Sequence, residues 1–192
     1  NPSFILDLTA TPRKNSNIIS IAHAGQLKIE NMVKLPVIVS NHKDKTEVIL
    51  SAIQLQKNLE SIAIAEEKET GKYIRPIVLF QAQSKNNEDT ITFEVTKRKL
   101  IEFGIPENQI KIKTANINEI KGIDLLAKDC PVRFIITINA LKEGWDCPFA
   151  YILASLADKN SSVDVEQILG RVLRQPYTIN HKEELLNLSY VM

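Results

Sequence analysis

This sequence of 192 residues has almost no net charge, few glycines and no long apolar run. The 24 basic and 23 acidic side chains leave a formal charge of +1, so any site for phosphate must be local. The longest apolar runs, such as 134–138, are far shorter than the roughly 18 residues that a membrane span needs. We therefore expect no membrane contact and, since no basic segment precedes the first apolar stretch, no signal peptide.

Metal-binding and redox patterns are also missing. Cys130 and Cys147 are too few and too far apart for a disulfide framework or a C-x-x-C pair. We interpret them as reduced structural thiols, as in a cytoplasmic protein. The histidines show no ligand-like spacing, and we expect no metal site; they are His23, His42 and His181.

Three common catalytic signatures are absent as well. No G-x-x-x-x-G-K-[ST] phosphate loop occurs, because Gly71 and Lys72 lack the upstream glycine and are followed by Tyr73. Neither G-x-G-x-x-G nor G-x-S-x-G is found. These absences argue against a self-sufficient nucleotide hydrolase and a dinucleotide oxidoreductase, and they leave no nucleophile to nominate.

Short apolar runs rich in β-branched residues alternate with longer helical patterns, which is typical of an α/β domain with a parallel sheet flanked by helices. Helices are predicted over 46–68, ended by Gly71, and over about 90–103, capped by Asp89 and ended by Gly104. We place a domain boundary near residue 35, where the regular alternation begins. The predicted strands are 4–8, 18–23, 36–40, 76–81, 110–113, 132–138, 150–155 and 188–192.

The strongest chemical signal is the segment 162–174, which predicts one amphipathic helix. Gln167, Gly170, Arg171 and Arg174 recur at i, i+3, i+4 and i+7 on one face. A mid-helix glycine costs about 1 kcal/mol relative to alanine, which favours close approach of a ligand or a facing domain at Gly170. Spacing alone leaves a solvated helix equally open. The apolar stripe on the other face consists of Val165, Ile168, Leu169, Val172 and Leu173.

Two loops follow predicted strands at the edge where parallel α/β sheets bind ligands. In the first, Gly144 allows a tight turn whose amides can face an anion, and Asp146 offers a carboxylate. In the second, Thr9 and Thr11 could relay between sites. Both loops also fit a plainer interpretation, in which Asp146 caps locally and the threonines satisfy a turn.

Four segments, taken in order, resemble motifs III, IV, V and VI of superfamily two helicases: 8–13, 77–81, 143–146 and 167–174. The longer strings ALKEGWDCPFA at 140–150 and EQILGRVLR at 166–174 are most similar to the restriction (Res) subunit of type III restriction-modification enzymes. The resemblance covers nearly the whole chain.

This resemblance implies two RecA-like domains that clamp ATP and Mg²⁺ between them and grip double-stranded DNA. Residues 1–35 would be the end of helicase domain one and a connector, and 36–192 would be RecA-like helicase domain two. The implied partners are helicase domain one of the same parent chain and a modification (methyltransferase) subunit, in the cytoplasm. Walker A, Walker B and the nuclease segments of this restriction endonuclease would lie outside the 192 residues, so we expect the chain alone to be inactive.

Motif VI carries the catalytic residues that the resemblance implies. Arg174 would be the arginine finger and Arg171 its phosphate-binding neighbour, and Gln167 would contact the nucleotide or its coordinating water. Gly170 would lie at the same nucleotide.

The other motifs supply further contacts by the same resemblance. Gly144 and Asp146 would meet the ribose or phosphates of the nucleotide. Thr9 and Thr11 would couple the ATP state to the grip on DNA. Gln81, at the end of the motif IV strand, would contact the DNA backbone.

Two alternatives stay open. One is the motor of another bacterial superfamily two helicase or of a type I restriction enzyme. The other is a RecA-like module that binds DNA or a partner without hydrolysis. A parent chain without a phosphate loop and an acidic Walker B strand would favour the module.

Overall fold

The computed structural model describes residue 6 and residues 17–83, 92–138, 146–156 and 169–192. Within these ranges six strands form one sheet, in the order β1-β6-β5-β2-β4-β3, and every neighbouring pair is parallel. The expected α/β class with a parallel sheet is confirmed. The strands are β1 (Val37–Val39), β2 (Ile77–Gln81), β3 (Ile110–Lys113), β4 (Phe134–Thr137), β5 (Ala150–Ser155) and β6 (Ser189–Val191).

The three central strands form the core of the domain. All residues of β2 and β4 are buried, and β5 is buried except for its last residue. Uninterrupted apolar runs of this kind are typical of parallel strands covered on both faces. The register aligns Gln81 with Thr137 on one side and with Ser155 on the other, so the carboxyl ends of all three strands meet at one edge.

The longest helix, α2 (Lys45–Thr70), packs against β2 and β5 and confirms the predicted segment 46–68. Its first turn is capped by Asp44, whose Oδ1 accepts hydrogen bonds from the amides of Thr46 at 2.7 Å and Glu47 at 2.9 Å. These two bonds lower the pKa of Asp44. Gly71 ends the helix in the left-handed conformation, with φ of 73°.

A second helix, α3 (Phe93–Glu102), packs against β4. Its N-cap is Thr92, whose hydroxyl accepts from the amide of Val95 at 3.4 Å, so the expected cap at Asp89 is wrong. The helix begins later than predicted because this hydroxyl satisfies its first free amide. Gly104 follows its end with φ of 84°, as expected.

The predicted strand 18–23 is wrong. This stretch has no strand partner within the described ranges, and Ile18, Ile19 and Ile21 are 59%, 76% and 56% exposed. β-branched residues favour extended backbone, but a strand also needs a neighbour to pair with. A short helix, α1 (Ala24–Ile29), follows instead, and the amide of His23 donates to Gln26 Oε1 at 3.0 Å across its first turn. The predicted strand 4–8 lies outside the described residues except for Leu6.

Residues 32–34 pack on the domain that follows them. The amide of Lys34 donates to the carbonyl of Leu173 at 2.6 Å, and the amide of Gln175 donates to that of Met32 at 3.0 Å. Ser189 Oγ donates to the carbonyl of Lys34 at 3.2 Å. The boundary near residue 35 stays a prediction, but the segment before it is fixed to the sheet.

None of the helices in the described ranges has the length and apolar content required to cross a bilayer.

Candidate functional site

Arg174 and Asp146 form an ion pair between Nη1 and Oδ2, although they are 28 positions apart in sequence. Their side chains are 52% and 54% exposed. The structure therefore brings together two residues that the sequence predicted at a common ligand, one before β5 and one after the helical residues 169–172. An ion pair this exposed adds only about 0–1 kcal/mol to stability, so an anionic ligand can displace the carboxylate from the guanidinium at little cost.

Arg174 does not lie on a helix, and the prediction of one helix through residue 174 is wrong at its end. The helical residues stop at Val172, and Arg174 forms an antiparallel bridge with Val33. The reason is that the segment 32–34 pairs with this stretch: the amide of Gln175 donates to the carbonyl of Met32 and not to that of Arg171, and the carbonyls of Leu173 and Arg174 accept hydrogen bonds from Lys34. Val172 is fully buried, as its apolar stripe predicted.

The remaining residues of the same segment have mixed outcomes. Gly170 is exposed, and a Cβ built on it would meet none of the described atoms within 4 Å. Packing in the described part of the domain therefore does not require glycine there, and the space beside its backbone is open to a ligand. Arg171 is partly buried. Gln167 lies outside the described residues, as do Gly144, Thr9 and Thr11.

Lys34 was not predicted as a site residue, yet its side chain reaches both halves of the Arg174 and Asp146 site. Its ammonium group donates to the carbonyl of Pro148 at 3.0 Å and to the carbonyl of Arg174. It lies 4.4 Å from the centre of the Tyr151 ring, in range of a cation–π contact. The side chain is completely buried. The sequence signal for this residue is a single charge inside the apolar run 32–39.

Burial lowers the pKa of Lys34 to about 7, against an opposing influence from Cys147. In the unfolded chain its pKa is about 10.5. Between these two values the unfolded state binds more protons than the folded state, so the free energy of unfolding rises with pH. The burial of this charge is thus most costly below pH 7, where the lysine is protonated in both states.

We expect the free energy of unfolding of the natural chain to rise between pH 7 and 9, relative to Lys34→Met, by up to about 1.4 kcal/mol per pH unit. Urea unfolding of both chains at pH 7, 8 and 9 measures the difference. The window ends at pH 9 because of Cys147, whose pKa burial raises to about 11. Above the usual thiol pKa the unfolded chain loses this proton first, so the thiol makes the free energy of unfolding fall as pH rises. Equal slopes for the two chains would show that Lys34 does not titrate in this range.

The carboxyl edge of the central strands carries a second polar group. Gln81 is 5% exposed and Thr137 is completely buried. Among the described residues, Gln81 Oε1 and Thr137 Oγ1 have no hydrogen-bond partner. Buried polar atoms are rarely left unpaired, and this is the edge where parallel sheets bind ligands. The burial of Gln81 leaves its side chain little surface for a DNA contact in this conformation.

The described part of the chain contains no cluster of three or more His, Cys, Asp or Glu side chains that could hold a metal ion. Cys130 and Cys147 are free and buried. The raised pKa of Cys147 keeps its thiol protonated near neutral pH. The described site therefore consists of the Arg174 guanidinium, the Asp146 carboxylate, the Lys34 ammonium and main-chain groups, and its two cationic groups suit an anion.

Comparison with known proteins gives a distant likeness. No protein-family model matches the chain, and no curated protein matches it. Among solved structures the chain is similar to an ATP-dependent Type ISP restriction-modification enzyme, LlaBIII, bound to DNA, with 14% sequence identity and a TM-score of 0.49. The likeness covers 87% of this chain and 12% of that one, so the chain spans a small part of the enzyme's length.

Proposed function

We propose that this chain is the second motor domain of an ATP-dependent DNA translocase, with Arg174 as its arginine finger. The observation that carries the proposal is the contact between Arg174 and Asp146. It joins two segments that resemble helicase motifs V and VI, and it lies on a parallel α/β domain of the kind that such motors use. A chance resemblance would not require the two segments to meet.

The chemistry follows from the exposed guanidinium. An ATP molecule held by a facing domain would place its γ-phosphate against this surface, and Arg174 would exchange the Asp146 carboxylate for the phosphate oxygens. A planar guanidinium suits this role because it binds phosphate through two parallel hydrogen bonds. Asp146 would then be free to meet the ribose.

The neighbouring residues would complete the nucleotide site. Arg171 would bind a second phosphate oxygen, and the open space beside Gly170 would admit the nucleotide to the backbone. Gln167 and Gly144 are assigned to the nucleotide by the same motifs. Mg²⁺ would be held mainly by domain one, since the groups of this site suit anions.

We further propose that the motor belongs to a type III restriction endonuclease of the cytoplasm. The support is the similarity of the strings at 140–150 and 166–174 to the Res subunit. The motor would act on double-stranded DNA together with a modification subunit and helicase domain one of its own parent chain. Thr9 and Thr11 would couple ATP to DNA, and Gln81 would reach the DNA backbone after a rearrangement that exposes it.

The test is ATP hydrolysis by the full-length protein that contains this chain, with its modification subunit, in the presence and absence of linear duplex DNA. We expect hydrolysis that DNA stimulates, and none by the 192-residue chain alone. Hydrolysis that DNA leaves unchanged would contradict the translocase. Binding of DNA without any hydrolysis would favour the non-hydrolysing module, and activity without the modification subunit would favour another helicase system.

A further inference from the structure

We propose that Lys34 is a positioning residue for Arg174, which it holds at a fixed distance from the segment that carries Asp146. The inference rests on the proposed role of Arg174 as an arginine finger. Lys34 itself touches neither nucleotide nor DNA in this proposal. It acts through the main chain of the arginine.

The geometry places one ammonium group between the two segments of the site. Lys34 Nζ donates to the carbonyl of Pro148 at 3.0 Å and to the carbonyl of Arg174 itself. Pro148 lies two residues after Asp146, whose carboxylate binds the guanidinium of Arg174. Arg174 is therefore held twice, by Lys34 at its main chain and by Asp146 at its side chain.

The backbone of Lys34 is itself fixed, so the side chain reaches the site from a rigid base. Its amide donates to the carbonyl of Leu173 at 2.6 Å, and its carbonyl accepts from Ser189 Oγ at 3.2 Å. Val33 and Arg174 form an antiparallel bridge. A shift of the segment 32–34 would therefore move the main chain of Arg174 with it.

Stability alone does not explain a lysine at this position. A buried cation needs compensation, and the described contacts of the ammonium are two carbonyls and the face of Tyr151, with no carboxylate. The lowered pKa reflects this cost. A methionine would fill a similar volume without it, whereas the two hydrogen bonds of lysine join segments that are 26 residues apart in sequence.

The experiment is a double-mutant cycle on the full-length protein, with kcat and KM for ATP measured in saturating duplex DNA. We expect Lys34→Met to lower kcat by about 10²-fold, since misplacement of a catalytic group by roughly 1 Å has an effect of this size. KM should change by less than about threefold. In the Arg174→Ala background the same substitution should have almost no further effect, because Lys34 acts through Arg174.

Two outcomes would overturn the inference. The first is an unchanged kcat in Lys34→Met. The second is an equal loss of kcat in both backgrounds, which would mean that Lys34 supports only folding. Ile110→Val is the matched control, since it also changes a buried side chain but on β3, at the far edge of the sheet; its kcat should stay within about twofold of the natural value.

A second measurement separates this inference from the proposed function. Amide hydrogen exchange should be about tenfold faster or more in Lys34→Met at two amides close to the carbonyls that Lys34 binds, and unchanged at Phe80 in the core. These amides are those of Ala150, which donates to the carbonyl of Cys147, and Gln175, which donates to that of Met32. If the natural protein hydrolyses no ATP, the proposed function fails, and the exchange result still shows whether Lys34 joins the two segments. Unchanged exchange at Ala150 and Gln175 would contradict the positioning role.

Discussion

Replacement of Arg174 by alanine is expected to lower DNA-stimulated ATP hydrolysis by the full-length protein about 10³-fold or more. An arginine placed on the developing charge of a transferred phosphoryl group contributes about 10³ to 10⁵ in rate in comparable enzymes. The half-exposed guanidinium has little part in folding, because its partner Asp146 is equally exposed. The loss should therefore fall on kcat, while affinity for nucleotide and for DNA is largely kept. Single-turnover hydrolysis with equilibrium binding of both ligands measures the three quantities.

Two further variants make the result specific to this residue. Arg174→Lys should restore little activity, since a lysine keeps the charge but lacks the planar pair of donors. Arg98→Ala is the matched control, because Arg98 is also an exposed arginine with one carboxylate partner, Glu102, but lies on α3. Its rate should match that of the natural protein. Unchanged hydrolysis in Arg174→Ala would instead assign the finger to Arg171.

The strands could be predicted because their signal is local and strong. Six of the eight predicted strands coincide with β1 to β6, and the uninterrupted apolar runs of 77–80, 134–136 and 150–154 explain why. A run of this kind can be stabilised only by burial on both faces. The predicted α2 is confirmed for a similar reason, since Gly71 marks its end whatever the tertiary contacts are.

The errors concern segments whose state depends on a distant partner. Residues 18–23 have the composition of a strand, but the described part of the chain gives them no strand to pair with. The helix before Arg174 ends at Val172 because the amide of Gln175, which would donate to the carbonyl of Arg171 in another turn, donates instead to the carbonyl of Met32, far away in sequence. Spacing placed Arg174 on a helical face, and only the tertiary structure shows that it lies beyond the helix.

The candidate site shows the same division. Arg174 and Asp146 are predicted by resemblance to two separate motifs, but their contact depends on how residues 146–148 lie beside the segment 172–175. Lys34 gave almost no signal, since a single lysine in an apolar run is common at an edge strand. Its role depends on two main-chain carbonyls, and main-chain groups are the same in every sequence. Contacts of this type cannot be found by motif or periodicity.

Arg75 is a second residue whose importance comes from main-chain carbonyls, and it supports the fold. Its side chain is completely buried, and the residue lies two positions before β2. Nε donates to the carbonyl of Val132 at 2.8 Å, Nη1 to that of Ala127 at 2.9 Å and Nη2 to that of Leu125 at 2.5 Å. The hydroxyl of Tyr73 accepts a further bond from Nη1 at 3.0 Å. The guanidinium thus fixes the irregular segment 125–132, which leads into β4.

Substitution of Arg75 by methionine is expected to lower the free energy of unfolding by about 3–5 kcal/mol, because it leaves the three carbonyls without their donor in a buried place. Arg75→Lys should recover only a small part, since one ammonium cannot reach three carbonyls that a planar fork spans. Urea unfolding of the 192-residue chain measures the loss. The dependence of the free energy of unfolding on urea concentration should be the same in all variants.

Arg133→Met is the matched control for Arg75. Arg133 is also an arginine of the same region, but it is partly exposed. It pairs with the carboxylate of Glu60 at 2.7 Å and donates to the carbonyl of Pro131 at 2.6 Å in an exposed hydrogen bond. Water can replace both partners, so we expect a loss of about 1 kcal/mol. A loss below that value in Arg75→Met would mean that the segment 125–132 rearranges to satisfy its own carbonyls. The difference in the free energy of unfolding between the two variants therefore measures how much one side chain stabilises the fold by donating to buried main-chain carbonyls. No sequence pattern predicts this contribution.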